Sequence, residues 1–264
     1  MDFPKKISNS EVFTKIYEKC EWGDGISAPK SGIGSIPSVA APYSQFVKST
    51  ISKYAIKTVV DFGHGDWKMW EQYKFENVSY AGFDVAQGLS AALQKQHGNE
   101  RRKFQEIDAS ETSLPSADLL ICKDVLQHLP IDQIFIFLES MKNYKYVVIC
   151  NDITKMLPSD YLKNMRYLIQ ARTRLKLLLK LKNPFFSVRI GNNQDIESGA
   201  WRTLDFERAP FRRKLTHSRI ISTFTYSGFT ANRVTKKVYF LINEFNLRDQ
   251  YHRKEKLRDF LIRQ

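Results

Sequence analysis

Short apolar runs alternate with amphipathic stretches along the first 150 residues of the chain. The runs predict strands at 58–62, 78–84, 103–108, 118–122 and 144–150. Apolar residues at helical spacing predict helices at 43–53, 67–73, 87–97 and 131–141. This alternation of strand and helix is typical of a mostly parallel, doubly wound α/β sheet.

The two ends of the chain depart from this alternation. Residues 1–42 form a predicted arm, with helical patches at Glu11–Cys20 and a segment rich in turn formers at Gly23–Pro42. Near the C-terminus the pattern predicts a helix at Ser218–Tyr226 and then a hairpin of Phe229–Val234 and Lys237–Asn243. Residues 248–264 are predicted to form a charged helix.

A glycine turn follows the first strand, in the run Asp61-Phe62-Gly63-His64-Gly65. Glycine has no Cβ and accepts positive φ, so such a turn lets the backbone approach a ligand closely. Asp84 closes the second strand 23 residues after Asp61 (84 − 61). That is close to the spacing of about 20 residues at which a carboxylate meets a ribose diol.

The residues in and around the glycine turn argue against a dinucleotide as the bound cofactor. Lys68 occupies the position of the third glycine in the dinucleotide fingerprint. Asp61 would repel a pyrophosphate and would suit an ammonium group. A ligand with an amino acid end, a ribose and an adenine fits these groups, and S-adenosylmethionine (SAM) is such a ligand.

With this Asp-x-Gly-x-Gly motif the chain resembles the class I SAM-dependent methyltransferases. It also resembles a bacterial subgroup that methylates small molecules or glycans, although His64 stands where that subgroup usually has cysteine. The motifs that carry this second resemblance are Trp22, Ser31-Gly32-x-Gly34-Ser35, Tyr80-x-Gly82-x-Asp84, Leu114-Pro115-x-Ala117-Asp118, Lys123–Leu129, Asn151-Asp152, Asp195-Ile196-x-x-Gly199-x-x-Arg202-x-Leu204-Asp205 and Pro210-Phe211.

The resemblance implies a Rossmann-like, seven-stranded sheet of order 3-2-1-4-5-7-6 in one domain at 43–264. It implies that the 1–42 arm is a lid over the cofactor, with Ser31 and Ser35 near the cofactor carboxylate. Asp108 is expected to bond the adenine amino group, and its alternative role is a helix N-cap. Residues 156–190 are expected to be a basic helical cap insertion.

Ligands of open α/β sheets bind beyond the carboxyl ends of the strands. Lys123, Asp124 and His128 follow the fourth strand and are therefore expected near the transferred methyl group, with Lys123 also binding the cofactor. Trp67, beside the turn, is expected to form a wall of the cofactor site. Asn151 and Asp152 end the fifth strand at the same edge.

For a hydroxyl acceptor, the candidate general bases are His128 and Asp152, then Asp124. A carboxylate or phosphate acceptor would need no base, and Lys123 and Arg202 would position it. The predicted acceptor-binding residues are Asn151, Asp195, Trp201 and Arg202. No metal site and no covalent intermediate are predicted from the residue spacing.

Charge is distributed unevenly. Residues 1–152 hold 17 Lys/Arg and 19 Asp/Glu, a net −2, whereas residues 153–264 hold 24 and 9, a net +15. This favours an anionic acceptor or an anionic surface. The basic amphipathic stretch at 161–186 suits an active-site cap, a membrane surface or a partner.

Three functions remain open at this point. The first is O-methylation of a sugar, sugar nucleotide or phosphorylated intermediate of surface polysaccharide biosynthesis, in which the glycan rests on the resemblance. The second is methylation of a nucleic acid, and the third is SAM binding without turnover.

No apolar run approaches the roughly 18 residues of a membrane span. We therefore expect a cytoplasmic protein, with the inner membrane surface as an alternative, and we predict that Cys122 and Cys150 are buried thiols.

Overall fold

The computed structural model describes residues 7–73, 75–108, 114–154, 193–215, 218–228 and 234–243. The predicted cap insertion at 156–190, its basic stretch at 161–186 and the charged helix at 248–264 lie outside the described residues. So does nearly all of the strand predicted at Phe229–Val234.

A seven-stranded sheet forms the centre of the fold, with the order β3-β2-β1-β4-β5-β7-β6. β7 pairs antiparallel with both β5 and β6, and the other pairings are parallel. The predicted sheet order is thus confirmed. The strands are β1 (Thr58–Phe62), β2 (Ser79–Asp84), β3 (Arg102–Glu106), β4 (Ala117–Lys123), β5 (Tyr144–Asp152), β6 (Ser218–Ser227) and β7 (Thr235–Asn243). The helices are α1 (Asn9–Glu18), α2 (Pro37–Lys53), α3 (Leu89–His97) and α4 (Ile131–Ser140).

Both faces of the sheet are covered by helices, which explains why the central strands are apolar throughout. On one face Val60 and Leu120 pack with α1 and α4, and on the other Val59 and Leu119 pack with α2 and α3. Burying each such side chain contributes about 1.5–3 kcal/mol. Cys122 and Cys150 are buried free thiols, as predicted.

Three predicted elements differ from the structure. No α-helix forms at 67–73, because Trp67 takes a left-handed conformation (φ 60°) and only a 3-10 turn follows, at Lys68–Trp70. Residues 218–226 are not a helix but belong to the edge strand β6, whose burial alternates with period two on either side of an irregularity at Ile220–Ser222. The segment Gly23–Pro42 is not irregular throughout, because α2 already begins at Pro37. Proline suits the first turn of a helix, where its missing N–H costs nothing.

Helix α1 begins at a capping box formed by Ser8 and Glu11. The Ser8 hydroxyl accepts from Glu11 N, and the Glu11 carboxylate accepts from Ser8 N. No helix in the described part of the chain is long and apolar enough to span a bilayer.

Candidate active site

A cavity of about 270 Å³ lies between the carboxyl ends of the strands, the N-terminal arm and helix α4. Of the residues predicted to bind the cofactor or to act in catalysis, the following line it: Ser31, Ser35, Gly63, Gly65, Asp84, Asp108, Lys123, Asp124 and His128. The following predicted site residues do not line it: Asp61, Trp67, Asn151, Asp152, Asp195, Trp201 and Arg202.

The glycine turn forms one side of the cavity. Gly63 and Gly65 both have positive φ, 77° and 58°. A Cβ on Gly63 would lie 2.2 Å from the Val125 side chain, so a larger residue would displace the wall of the site. The turn therefore needs glycine for both conformation and space.

Asp84 is tied to this turn. Gly65 N donates to its Oδ2 at 3.0 Å, and Ala86 N donates to its Oδ1 at 3.1 Å. Each carboxylate oxygen can accept further hydrogen bonds. The structure thus presents an oriented acceptor pair to the cavity at the end of β2.

His64 holds the turn in place. Its Nδ1 lies 2.7 Å from the carbonyl oxygen of Gly65, which can only accept, so Nδ1 carries the proton. Its Nε2 then accepts from the hydroxyl of Ser90 on α3, at 2.8 Å. Burial lowers the pKa of His64, which keeps the ring neutral. The His64 side chain thus anchors the turn to α3.

The structure corrects the predicted roles of Asp61 and Trp67. The Asp61 carboxylate points into the core on the α2 side of the sheet, where its Oδ2 accepts from Tyr80 OH at 2.7 Å and from Trp70 Nε1 at 3.2 Å. Trp67 donates to the same Tyr80 hydroxyl at 3.0 Å. Both side chains are 1% exposed. Side chains alternate between the two faces of β1, so Asp61 faces the α2 side of the sheet and not the cavity. Both residues therefore belong to the core next to the glycine turn.

The N-terminal arm lies over the turn. The Ser31 hydroxyl donates to Asp66 Oδ1 at 2.9 Å and accepts from Asp66 N at 2.6 Å, and it lies 3.2 Å from Tyr17 OH. Further along the arm, Lys123 Nζ donates to the Gly34 carbonyl at 2.8 Å. The arm is therefore bonded to the sheet edge on both sides of the cavity.

Helix α1 closes the opposite end. Asn9 Nδ2 lies 3.2 Å from Asp108 Oδ1 and 3.1 Å from Gln133 Oε1 on α4. Ile107 and Leu114 add apolar walls beside Asp108. The alternative role of Asp108 as a helix N-cap concerns residues 109–113, which lie outside the described ranges.

Two lysines and two carboxylates form a largely buried network that includes part of the cavity wall. Asp124, at φ 60°, is bonded to Lys123, and its Oδ1 lies 2.7 Å from Lys236 Nζ on β7. Lys236 Nζ also lies 3.7 Å from Asp152 Oδ2. Burial opposes ionisation of Asp124, but the two ammonium groups outweigh it and hold the pKa of this carboxyl well below its usual range.

His128 is a neutral ring at the cavity wall. Its Nδ1 donates to the Ala200 carbonyl at 2.9 Å, which leaves Nε2 as the acceptor atom. Burial lowers the pKa of His128 to about 4. The Trp22 ring of the arm lies against it, with ring centroids 4.7 Å apart.

The late motif packs against the segment after β4. Gly199 N donates to the His128 carbonyl at 2.9 Å, and Arg202 N donates to the Gln127 carbonyl at 3.2 Å. Arg202 is thereby buried behind His128, whereas Trp201 is half-buried. Asp195 is exposed and caps α4 by accepting from Ile131 N at 2.9 Å. The prediction that Asp195 binds an acceptor is corrected for that reason.

Several residues of this region were not predicted as site residues: Asn9, Tyr17, Trp22, Gln133 and Lys236. Trp22 belongs to the motifs that carry the resemblance, but no role in the site was predicted for it. Lys236 had a usable signal, since a lysine at the start of an apolar strand is costly to bury without a partner. Nothing in the local sequence around Asn9 and Gln133 indicates that α1 and α4 meet at the cavity.

Solved structures with the same architecture identify the fold. A SAM-dependent methyltransferase from Anabaena variabilis matches with a TM-score of 0.56 and 10% identity, over 92% of this chain and 99% of that chain. Magnesium protoporphyrin IX methyltransferase from Synechocystis, with bound S-adenosylhomocysteine (SAH), gives 0.55 and 14%, over 89% and 96%. The N-methyltransferase NodS from Bradyrhizobium japonicum, also in complex with SAH, gives 0.53 and 12%, over 90% and 100%.

The chain has the class I SAM-dependent methyltransferase fold. No family profile and no curated protein matches it in sequence. At 10–14% identity these neighbours establish the architecture alone. Fold alone does not imply function, so activity must be argued from the site.

Proposed function

We propose that this protein is a SAM-dependent methyltransferase acting on a small acceptor. The observation that carries the proposal is the oriented carboxylate of Asp84, held by Gly65 N at the cavity edge of a methyltransferase sheet. Neighbours with this fold were crystallised with SAH. They include both an N-methyltransferase and a porphyrin methyltransferase, so the fold leaves the acceptor atom open.

The residues of the cavity fit SAM. Asp84 has free acceptor capacity for a ribose diol, and the two glycines leave space for close backbone approach. Asp108 and its apolar neighbours would hold the adenine, and Ser31, Ser35 and Lys123 would face the amino acid end. SAM, when bound, supplies an activated methyl group. The chain itself has to orient the acceptor, exclude water and accept a proton where one is released.

The candidate bases of this site are weak ones. His128 has a pKa of about 4, and Asp124 is held ionised by two lysines. Asp152 does not line the cavity, and its carboxylate accepts from Thr154 N at 2.7 Å. A weak base removes a proton poorly from a neutral hydroxyl, because the ideal catalytic pKa lies near the working pH. These groups favour an acceptor oxygen that is already ionised.

We propose O-methylation of a small anionic acceptor, such as a sugar, sugar nucleotide or phosphorylated intermediate of surface polysaccharide biosynthesis. The weak bases favour a carboxylate or phosphate oxygen of such an acceptor over a neutral hydroxyl. The net +15 of residues 153–264 supports an anionic acceptor. The glycan part rests on the motif resemblance. A cytoplasmic location, and contact of 161–186 with the inner membrane surface, remain part of this proposal.

The test is incubation of the full chain with methyl-labelled SAM and a panel of nucleotide-linked sugars and phosphorylated metabolites, read by mass. A labelled acceptor supports the proposal, and absence of SAM binding by calorimetry at millimolar ligand would refute it. Random RNA is included in the panel because the net +15 charge of residues 153–264 would also suit a nucleic acid. Tight RNA binding with a steep salt dependence, and transfer to RNA alone, would favour a nucleic-acid methyltransferase instead.

A further inference from the structure

Arg202 is a buried cation whose donors are largely unused. The residue is 5% exposed, and its Nε and Nη1 atoms have no hydrogen-bond partner among the described residues. Only Nη2 has one, a long bond of 3.4 Å to the Leu126 carbonyl. Burial lowers the pKa of Arg202 to about 10, so the side chain remains charged near neutral pH.

The other buried cations of this region are matched by carboxylates. Lys123 and Lys236 share Asp124, and Lys237 lies 3.5 Å from Asp205 Oδ1 and is bonded to Glu207 as well. Asp195, whose charge acts on Arg202, is exposed and already caps α4. Arg202 therefore lacks a hydrogen-bonded carboxylate of its own within the described ranges.

Asn151 shows the same pattern. It is fully buried, and neither its Oδ1 nor its Nδ2 has a partner in the part of the chain that the structure describes. Native proteins pair nearly all buried polar side-chain atoms, so unpaired ones indicate a missing partner or a functional role.

Backbone bonds join Arg202 to the end of β5, where Asn151 precedes Asp152. Arg202 N donates to the Gln127 carbonyl, and Gln127 Oε1 accepts from Asp152 N at 2.9 Å. The Asp152 carbonyl in turn accepts from Leu204 N at 2.8 Å. Arg202 is also close enough to His128 for its charge to lower the pKa of that ring, which lines the cavity. The unpaired donors of Arg202 thus lie close to His128, which lines the cavity, although neither Arg202 nor Asn151 lines the cavity itself.

We propose that Arg202, assisted by Asn151, binds an anionic oxygen group of the acceptor, a carboxylate or a phosphate. The inference rests on the proposed methyl transfer, because it assigns a subsite to that reaction. A guanidinium presents two parallel N–H donors that match either group. The subsite would hold the acceptor by its charged end next to His128, and neutral analogues of the acceptor would leave the guanidinium unpaired.

The test uses inorganic phosphate and acetate as probes for the two anion classes. Thermal unfolding of the full chain is followed against each anion, with chloride adjusted to constant ionic strength, for wild type, Arg202→Met and Arg208→Met. Arg208 is the matched control, since it removes the same charge nearby from an exposed side chain that pairs with Asp205. We expect at least one anion to raise the melting temperature of wild type and Arg208→Met, and at least a tenfold loss of its affinity in Arg202→Met.

A second readout separates binding from structure. Without anion, Arg202→Met is expected to melt no lower than wild type, because methionine replaces a buried charge that has no carboxylate partner. Should Arg202→Met fail to fold, Arg202→Lys and Asn151→Ala serve, and each is expected to weaken anion binding. Neither anion affecting wild type, or equal anion affinity in wild type and the subsite variants, would overturn the inference. SAH calorimetry on the same proteins keeps the two proposals apart, since SAH should bind equally to wild type and Arg202→Met.

Discussion

Replacing Asp61 by asparagine should remove a pH-dependent loss of stability. Burial raises the pKa of Asp61 from 3.8 to about 7, although Tyr80 and Trp70 donate hydrogen bonds to it. As the pH rises above 4, the unfolded chain ionises this group while the folded chain still holds the proton. Stability from this group is therefore complete below pH 4 and is lost progressively until the pH passes 7.

The size of the effect follows from about 1.4 kcal/mol for each unit of pKa. Between pH 5.5 and the folded pKa of about 7, wild type should lose about 2 kcal/mol that Asp61→Asn retains. The asparagine can keep both hydrogen bonds, because Tyr80 and Trp70 donate to the same oxygen, Oδ2. Asp61→Ala leaves both donors unpaired and should cost about 2–5 kcal/mol at pH 5.5. This cost should shrink toward pH 8, because alanine, like asparagine, does not ionise.

The assay is urea unfolding at pH 5.5, 7 and 8, followed by tryptophan fluorescence, with exposed Asp132→Asn as the control. The free-energy difference between Asp61→Asn and wild type should grow by about 2 kcal/mol from pH 5.5 to 8. A difference that is constant with pH would refute the assignment of a raised pKa to Asp61. Loss of SAH binding in a fully folded Asp61→Asn would instead restore the cofactor role that the sequence suggested.

Three further predictions concern the cavity and the ion-pair network of Lys236. Asp84→Ala should weaken SAH binding at least a hundredfold in calorimetry while the chain stays folded; unchanged affinity would contradict the ribose assignment. Gly63→Ala should weaken SAH binding at least tenfold, because φ is 77° there and a Cβ would lie 2.2 Å from the Val125 side chain. Wild-type affinity in this variant would show that the turn can change conformation without cost to binding. Lys236→Met should lower stability by about 3 kcal/mol in urea unfolding, because the buried Asp152 loses its ammonium partner and Asp124 keeps only Lys123; a neutral result would show that Lys123 suffices.

Whether a helix or strand was predicted correctly depended on how far neighbouring residues alone determine its conformation. β4 and β5 were predictable because covered parallel strands are apolar throughout. β6 was mistaken for a helix because its alternation is diluted by exposed small residues along an edge strand. The stretch 67–73 was mistaken for a helix because aromatic spacing suits either structure, and the packing of Trp67 against Tyr80 decided the conformation.

What the sequence determined by itself is the backbone frame: the sheet order through its motifs, the glycine turn, and a carboxylate at the end of β2. The glycine turn and the carboxylate depend on neighbouring residues and on periodicity, so they can be read without coordinates, whereas the sheet order was implied by the resemblance to the methyltransferases. The direction of a side chain at a strand end depends on which face is covered, and that is a tertiary property. For this reason only the structure showed that Asp61 faces the core while Asp84 faces the cavity. Likewise, only the structure brought Lys236 to Asp124 and left the donors of Arg202 without partners among the described residues, because these contacts join segments distant in the chain.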